Sequence, residues 1–161
     1  YYVENLSKSV EQPKGQSKAL RVDRILLNQL DISNLVEEDN DPVREDSSFR
    51  AILENFSSSN RDVLQVLDSK GMLVGVITLS DLRKQLGDVS SYDTVLARDL
   101  MQPPNITVEI DEPASEVLNK FDKSKLWSLP VVRNGKFKGF ISKSRLLSQY
   151  RSELTRVNRF F

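Results

Sequence analysis

Gly75-Val76-Ile77-Thr78-Leu79-Ser80-Asp81 and Gly139-Phe140-Ile141-Ser142-Lys143-Ser144-Arg145 are two copies of one phrase, 64 residues apart. Each runs a glycine and two apolar residues into a hydroxyl side chain, which reads as a strand ending on a helix N-cap. Threonine and serine suit that place because their oxygens accept from the free N–H groups of a helix start. The duplication extends outward over residues 35–82 and 100–146. Leu35 aligns with Leu100, Val43 with Val108, Asp46 with Asp111, Ile52-Leu53 with Val117-Leu118, and Phe56 with Phe121. Leu64-Gln65-Val66-Leu67 aligns with Leu129-Pro130-Val131-Val132, and Gly71 with Gly135. The offset is 65 before a one-residue gap and 64 after it. Apolar pattern and turn residues repeat together, which marks a structural repeat.

Each half reads as strand, helix, strand, strand, helix. Phe49, Ile52, Leu53 and Phe56 share one helical face, as do Ala114, Val117, Leu118 and Phe121. Asp46 and Asp111 are expected as N-caps, with Pro113 in a first turn. Strands are predicted at Val63–Leu67, Leu73–Ile77, Leu129–Val132 and Phe137–Ile141. Asp68-Ser69-Lys70-Gly71 and Arg133-Asn134-Gly135 supply the hairpin turns, and Asn-Gly is the stronger signal. Closing helices carry Leu79, Leu82 and Leu86, then Leu146, Leu147, Tyr150 and Leu154. One hairpin with one or two helices cannot enclose a core. The fold class is therefore α/β: two pseudo-twofold-related β-α-β-β-α repeats packed through their sheets.

Five segments follow. Residues 1–30 are a linker and lead-in helix, with Tyr1 to Ser17 as linker and Ala19–Leu30 as an amphipathic helix. Residues 31–87 form the first repeat, 88–99 an inter-repeat linker, 100–154 the second repeat and 155–161 a tail.

The 161 residues include no cysteine and no histidine. Disulfides, thiol catalysis and the commonest general base are thereby excluded, and intrinsic catalysis is not expected. No apolar run approaches the ~20 residues that span a bilayer, so the chain is expected to be a soluble domain. Lys+Arg and Asp+Glu are both 23, yet residues 31–62 hold three basic and nine acidic side chains, and 120–161 hold eleven and two. The basic end is expected to offset the acidic half within the fold or across a dimer. Nucleic acid is not an expected partner, since no basic stripe interleaved with aromatics appears.

The duplicated hairpin followed by Gly-h-h-Thr/Ser-x-x-Asp resembles a tandem CBS pair, or Bateman module, over residues 31–152. The first copy fits throughout; the second departs at Arg145. Trp127-Ser128-Leu129-Pro130-Val131-Val132, Gly135 to Ser144 and Tyr150-Arg151 are similar to the cytoplasmic tail of prokaryotic CLC chloride channels and transporters. That resemblance implies a regulatory and dimerisation module on the cytoplasmic face of a membrane. Its partners would be a second copy of the module and the transport domain of the same polypeptide. No cofactor is required, but an adenine nucleotide (ATP, ADP or AMP) is implied as regulatory ligand. The implied pocket joins Thr78 and Asp81 to Ile106, Thr107, Leu126 and Trp127 of the second repeat. Asp81 would accept from ribose hydroxyls, the helix start would favour phosphate, and Trp127 would stack on the base. The plain alternative makes Asp81 a helix-dipole partner and Trp127 a core residue.

The mirror pocket reads differently. Arg145 donates only and cannot accept from a ribose. Asp41-Pro42 and Arg61-Asp62 bring charge where apolar walls would stand, so an Arg61–Asp62–Arg145 salt cluster is expected; a phosphate held by Lys143 and Arg145 is the lesser reading. Glu37-Glu38-Asp39-Asn40-Asp41 lacks the spacing of a calcium loop and is expected to be a solvated turn. Two rival readings remain: a ligand-free assembly module, and the regulatory pair of another carrier, such as a magnesium channel or a nucleotide-biosynthetic enzyme.

Overall fold

Alternation of inward and outward side chains, written twice, becomes two small sheets. The computed structural model describes residues 24–38 and 43–158. A 3-10 turn at Ile32–Leu35 precedes β1 (Val43–Arg44), α1 (Phe49–Ser58), β2 (Val63–Leu67), β3 (Leu73–Thr78) and α2 (Leu79–Arg83). A second 3-10 turn, Val89–Ser91, leads to α3 (Ala97–Leu100), β4 (Val108–Glu109), α4 (Ala114–Ser124), β5 (Ser128–Arg133), β6 (Lys136–Ser142) and α5 (Lys143–Asn158). The described strands form two sheets, β1-β2-β3 and β4-β5-β6. In each, the short first strand is parallel to the central one and the hairpin partner is antiparallel. The pairing slips by one residue between Val66 and Leu67, and again between Val131 and Val132. Even the irregularity is duplicated, at an offset of 65. The α/β class and the sheet-to-sheet packing hold.

Both central strands are buried on both faces. Leu64 and Val66 point into a core with Val43, Phe49, Ile52, Phe56 and Ile77. Leu129 and Val131 do the same with Val108, Val117, Phe121 and Ile141. The alternate residues face the other way, where β2 and β5 lie against each other.

Each core borrows its last pieces from the other repeat. Leu27, just ahead of the first repeat, and Ile32 and Leu35 at its start pack into the second core. Ala97, just ahead of the second repeat, and Leu100 at its start pack into the first core. The backbone shows the same exchange: Glu37 bridges Phe140 of β6, and Gln102 bridges Val76 of β3. Gly75 and Gly139, at equivalent places in the two repeats, make room for it. A Cβ on Gly75 would stand 2.5 Å from the Met101 sulfur, and one on Gly139 would strike the Glu37 carbonyl oxygen and stand 2.9 Å from Val36 Cγ1. Val36 and Met101 are themselves repeat equivalents.

Three local expectations are corrected. The N-cap of α1 is Ser48, whose hydroxyl accepts from the Ala51 N–H at 3.2 Å; α4 starts after Pro113 without a side-chain cap. Asp46 and Asp111 each lie two residues too early to reach their helix. Ser48→Ala is therefore expected to lower stability by about 1 kcal/mol in urea unfolding, and Asp46→Ala by less than half of that. Secondly, α2 stops at Arg83, and Leu86 is exposed. The Leu86 carbonyl accepts the Tyr92 hydroxyl at 2.7 Å, which draws the chain into the linker. Thirdly, within the expected Ala19–Leu30 helix, residues 24–27 are helical and 28–30 turn; residues 19–23 lie outside the described residues.

The linker is stapled rather than loose. Tyr92 meets Phe49 edge-on at 5.0 Å, and Arg50 donates to Asp93 at 3.0 Å. That hydrogen bond and the charge of Arg50 hold the Asp93 carboxyl below its usual pKa.

Candidate functional site

Thr78 ends β3 and caps α2. Its hydroxyl accepts from the Asp81 N–H at 3.4 Å, while Asp81 Oδ2 accepts from the Thr78 N–H at 2.9 Å and its hydroxyl at 3.1 Å. This reciprocal pair is a capping box, which satisfies two free donors of the helix start. Asp81 is only 7% exposed. Both bonds it accepts from Thr78 fall on Oδ2. Part of the plain alternative is thus correct: Asp81 does serve its own helix.

Asp62 connects this helix start to Trp127. The Leu79 N–H donates to the Asp62 carbonyl at 3.2 Å, and the Trp127 N–H donates to Asp62 Oδ2 at 3.1 Å. Asp62 and Trp127 are repeat equivalents, and the Trp127 carbonyl in turn accepts from the Lys143 N–H at 2.9 Å. Asp62 Oδ1 is buried without a hydrogen-bond partner. A buried acceptor of that kind marks a place where a water or ligand donor belongs.

Trp127 is 65% exposed, so it is not a core residue. The Lys143 ammonium stands 5.6 Å from its ring centre. Ile106 and Leu126 pack against the second core, and the Thr107 carbonyl accepts from Lys120 Nζ at 2.6 Å. Lys120 is also 2.8 Å from the half-buried Glu112 carboxylate. Trp127 thus reaches the Thr78–Asp81 helix start through Asp62. Ile106, Thr107 and Leu126 belong to the second-repeat wall, and no hydrogen bond among the described residues ties them to Asp81.

The mirror pocket is a cleft of about 440 Å³, lined by Ser128, Ser142 and Ser144 of the second repeat and by Glu37, Asn55, Arg61 and residues 58–60 of the first. Its size falls in the range of small-molecule sites. The expected salt cluster is present with a different acid. Arg145 Nη1 is 3.3 Å and Arg61 Nη2 is 3.9 Å from the carboxylate of Glu37, not Asp62. Asp62 is turned away because it accepts from Trp127. Lys143 is drawn to Asp122 at 3.5 Å rather than into the cleft. Asp39, Asn40, Asp41 and Pro42 lie outside the described residues. No cluster of metal-ligating side chains occurs among the described residues.

A family model, CBS domain, matches residues 32–88 and 97–152. The chain belongs to the CBS domain family. Among curated relatives, arabinose 5-phosphate isomerase KpsF of Escherichia coli is 26% identical over 105 residues, 65% of this chain and 33% of that protein. The CBS pair therefore spans about a third of that relative's length. Two solved structures share the fold. The CBS domain of a CBS domain containing membrane protein from Sphaerobacter thermophilus gives a TM-score of 0.63 at 20% identity, over 83% of this chain and 96% of that one. CBSX2 in complex with AMP gives 0.63 at 22% identity, over 75% and 96%. Among the described residues of this CBS pair, no helix is long and apolar enough to cross a membrane.

Sequence reasoning missed Glu37 as the acid of the second cleft. The signal lay in the repeat itself. Glu37 aligns with Gln102, one pair beyond Val36 and Met101, so an exchanged segment would carry both into the clefts.

Proposed function

We propose that this CBS pair is a regulatory module that senses an adenine nucleotide where Thr78 and Asp81 meet the second repeat. The observation that carries this reading is one buried carboxylate and one exposed indole, joined through Asp62 at the same helix start. Asp81 Oδ1 would accept from the ribose and Trp127 would cover the base. The AMP complex of CBSX2 lends support, as does the resemblance that first singled out Thr78, Asp81, Ile106, Thr107, Leu126 and Trp127.

The regulatory mechanism is a population shift. A ligand touching both repeats favours the arrangement in which its two walls are closest, and whatever is attached to the module feels that bias. The carrier we favour is a CLC-type chloride transporter, with the module on its cytoplasmic face and paired as a homodimer. The stretch Trp127 to Ser144 supports that carrier, and reading the full-length gene tests it. Arabinose 5-phosphate isomerase is the instance of a different carrier.

Trp127 is the single tryptophan of the chain, so its emission reports on this site directly. Saturable quenching by ATP, ADP or AMP is expected, and Asp81→Ala is expected to abolish it. Unfolding free energy should rise by about 2.7 kcal/mol at ligand a hundredfold above its Kd. No quenching and no stabilisation with any of the three would remove the nucleotide. The ligand-free assembly module would then stand, a reading that the self-paired second cleft already favours.

A further inference from the structure

The described lining of the second cleft includes the Arg61 guanidinium, several hydroxyls and the Glu37 carboxylate, which Arg145 also reaches. We propose that Glu37 is a built-in anion: its carboxylate takes the place of an oxoanion between Arg61 and Arg145 and keeps that cleft closed to phosphate-bearing ligands.

Geometry makes the carboxylate resident rather than passing. The Glu37 N–H donates to the Phe140 carbonyl at 2.7 Å, and the Phe140 N–H returns a bond at 2.9 Å. The backbone of residue 37 is thereby pinned to β6 beside the cleft. Arg61 lies with its guanidinium 4.5 Å from the Phe140 ring centre, and its side chain is 17% exposed. Arg145 follows Ser142, whose hydroxyl accepts from the Arg145 N–H at 3.1 Å at the start of the sixteen-residue α5. Among the described residues one carboxylate thus reaches two guanidinium groups, an arrangement that also suits a phosphoryl group.

The repeat supplies an internal control. Glu37, Arg61 and Arg145 are equivalent to Gln102, Leu126 and Asp81 in the first cleft. The carboxylate at the bridging position occurs where both arginines occur, and the neutral amide where neither does. Acid and arginines form one set, and neither arginine has a basic equivalent in the first repeat's site.

The test is calorimetric titration of inorganic pyrophosphate in an Asp81→Ala background, where the first cleft is impaired. The inference stands whether or not that cleft binds a nucleotide. The parent with Glu37 is expected to bind weakly. Glu37→Gln, and separately Glu37→Ala, are expected to bind about tenfold tighter or better, and adding Arg145→Ala should cancel the gain. Equal affinity with and without Glu37 would overturn the proposal. So would folded Gln and Ala variants that gain nothing, or a gain that survives Arg145→Ala. Failure of both variants to fold would overturn it too, by making Glu37 a folding residue.

Discussion

Phe121→Ala is expected to lose about 3–5 kcal/mol of unfolding free energy, in a single urea transition. Phe121 is fully buried in the second core. Its neighbours there include Leu27, Ile32 and Leu35 from the start of the first repeat and just ahead of it. A cavity at Phe121 therefore loosens the segment that also supplies Glu37 to β6. The first core is tied to the second in the same manner, through Ala97 and Leu100. Exchange of this kind leaves neither repeat with a complete core of its own. Circular dichroism and Trp127 fluorescence should report the same lowered midpoint. Two separated transitions, with the first repeat untouched, would contradict the exchange.

Gly139→Ala is expected to cost roughly 2–5 kcal/mol, from backbone strain and overpacking together. Gly139 has φ +145°, which side-chain-bearing residues rarely adopt. An added methyl would also strike the Glu37 carbonyl, which cannot move away without breaking the bridge to Phe140. Gly75→Ala is its repeat equivalent and should cost less. There the obstacle is the Met101 side chain, which can change rotamer, and φ is ordinary. Gly87→Ala meets nothing within 4 Å and is expected to fall within about 0.5 kcal/mol of the parent. Equal losses at Gly139 and Gly87 by urea unfolding would mean that the bridging segment does not press on β6 as described.

The strands were legible because their signals are local. Val63–Leu67 is a run apolar at all but Gln65 and ended by a turn, and it is β2 with the same bounds. Asn134-Gly135 is a turn pair needing positive φ twice, and the two residues have φ 53° and 85°. Helix faces were legible from spacing, while the cap was not. Ser48 and Asp46 are both good N-caps, and the choice depends on where β1 releases the chain. The exchange of Ile32–Leu35 and Ala97–Leu100 is set by tertiary packing, so no local pattern announces it.

Charge partners were the least legible part of the site. Arg61 and its neighbour Asp62 suggested a cluster with Arg145, but adjacent residues on an extended chain point apart. Asp62 turns to the Trp127 N–H, and Glu37, twenty-four residues earlier, supplies the carboxylate. The exposure of Trp127 was likewise hidden, since a tryptophan at the head of an apolar strand reads equally well as core. The duplication pointed to the cleft beside Ser142, while the acid that meets its arginines is a property of the three-dimensional exchange.

Titration calorimetry of ATP, ADP and AMP, on the native chain and on Asp81→Ala, tests the regulatory role most directly. One nucleotide per chain, with the heat abolished by Asp81→Ala and retained by Arg145→Ala, is the predicted result. No binding by any of the three, or binding that Asp81→Ala leaves unchanged, would contradict it.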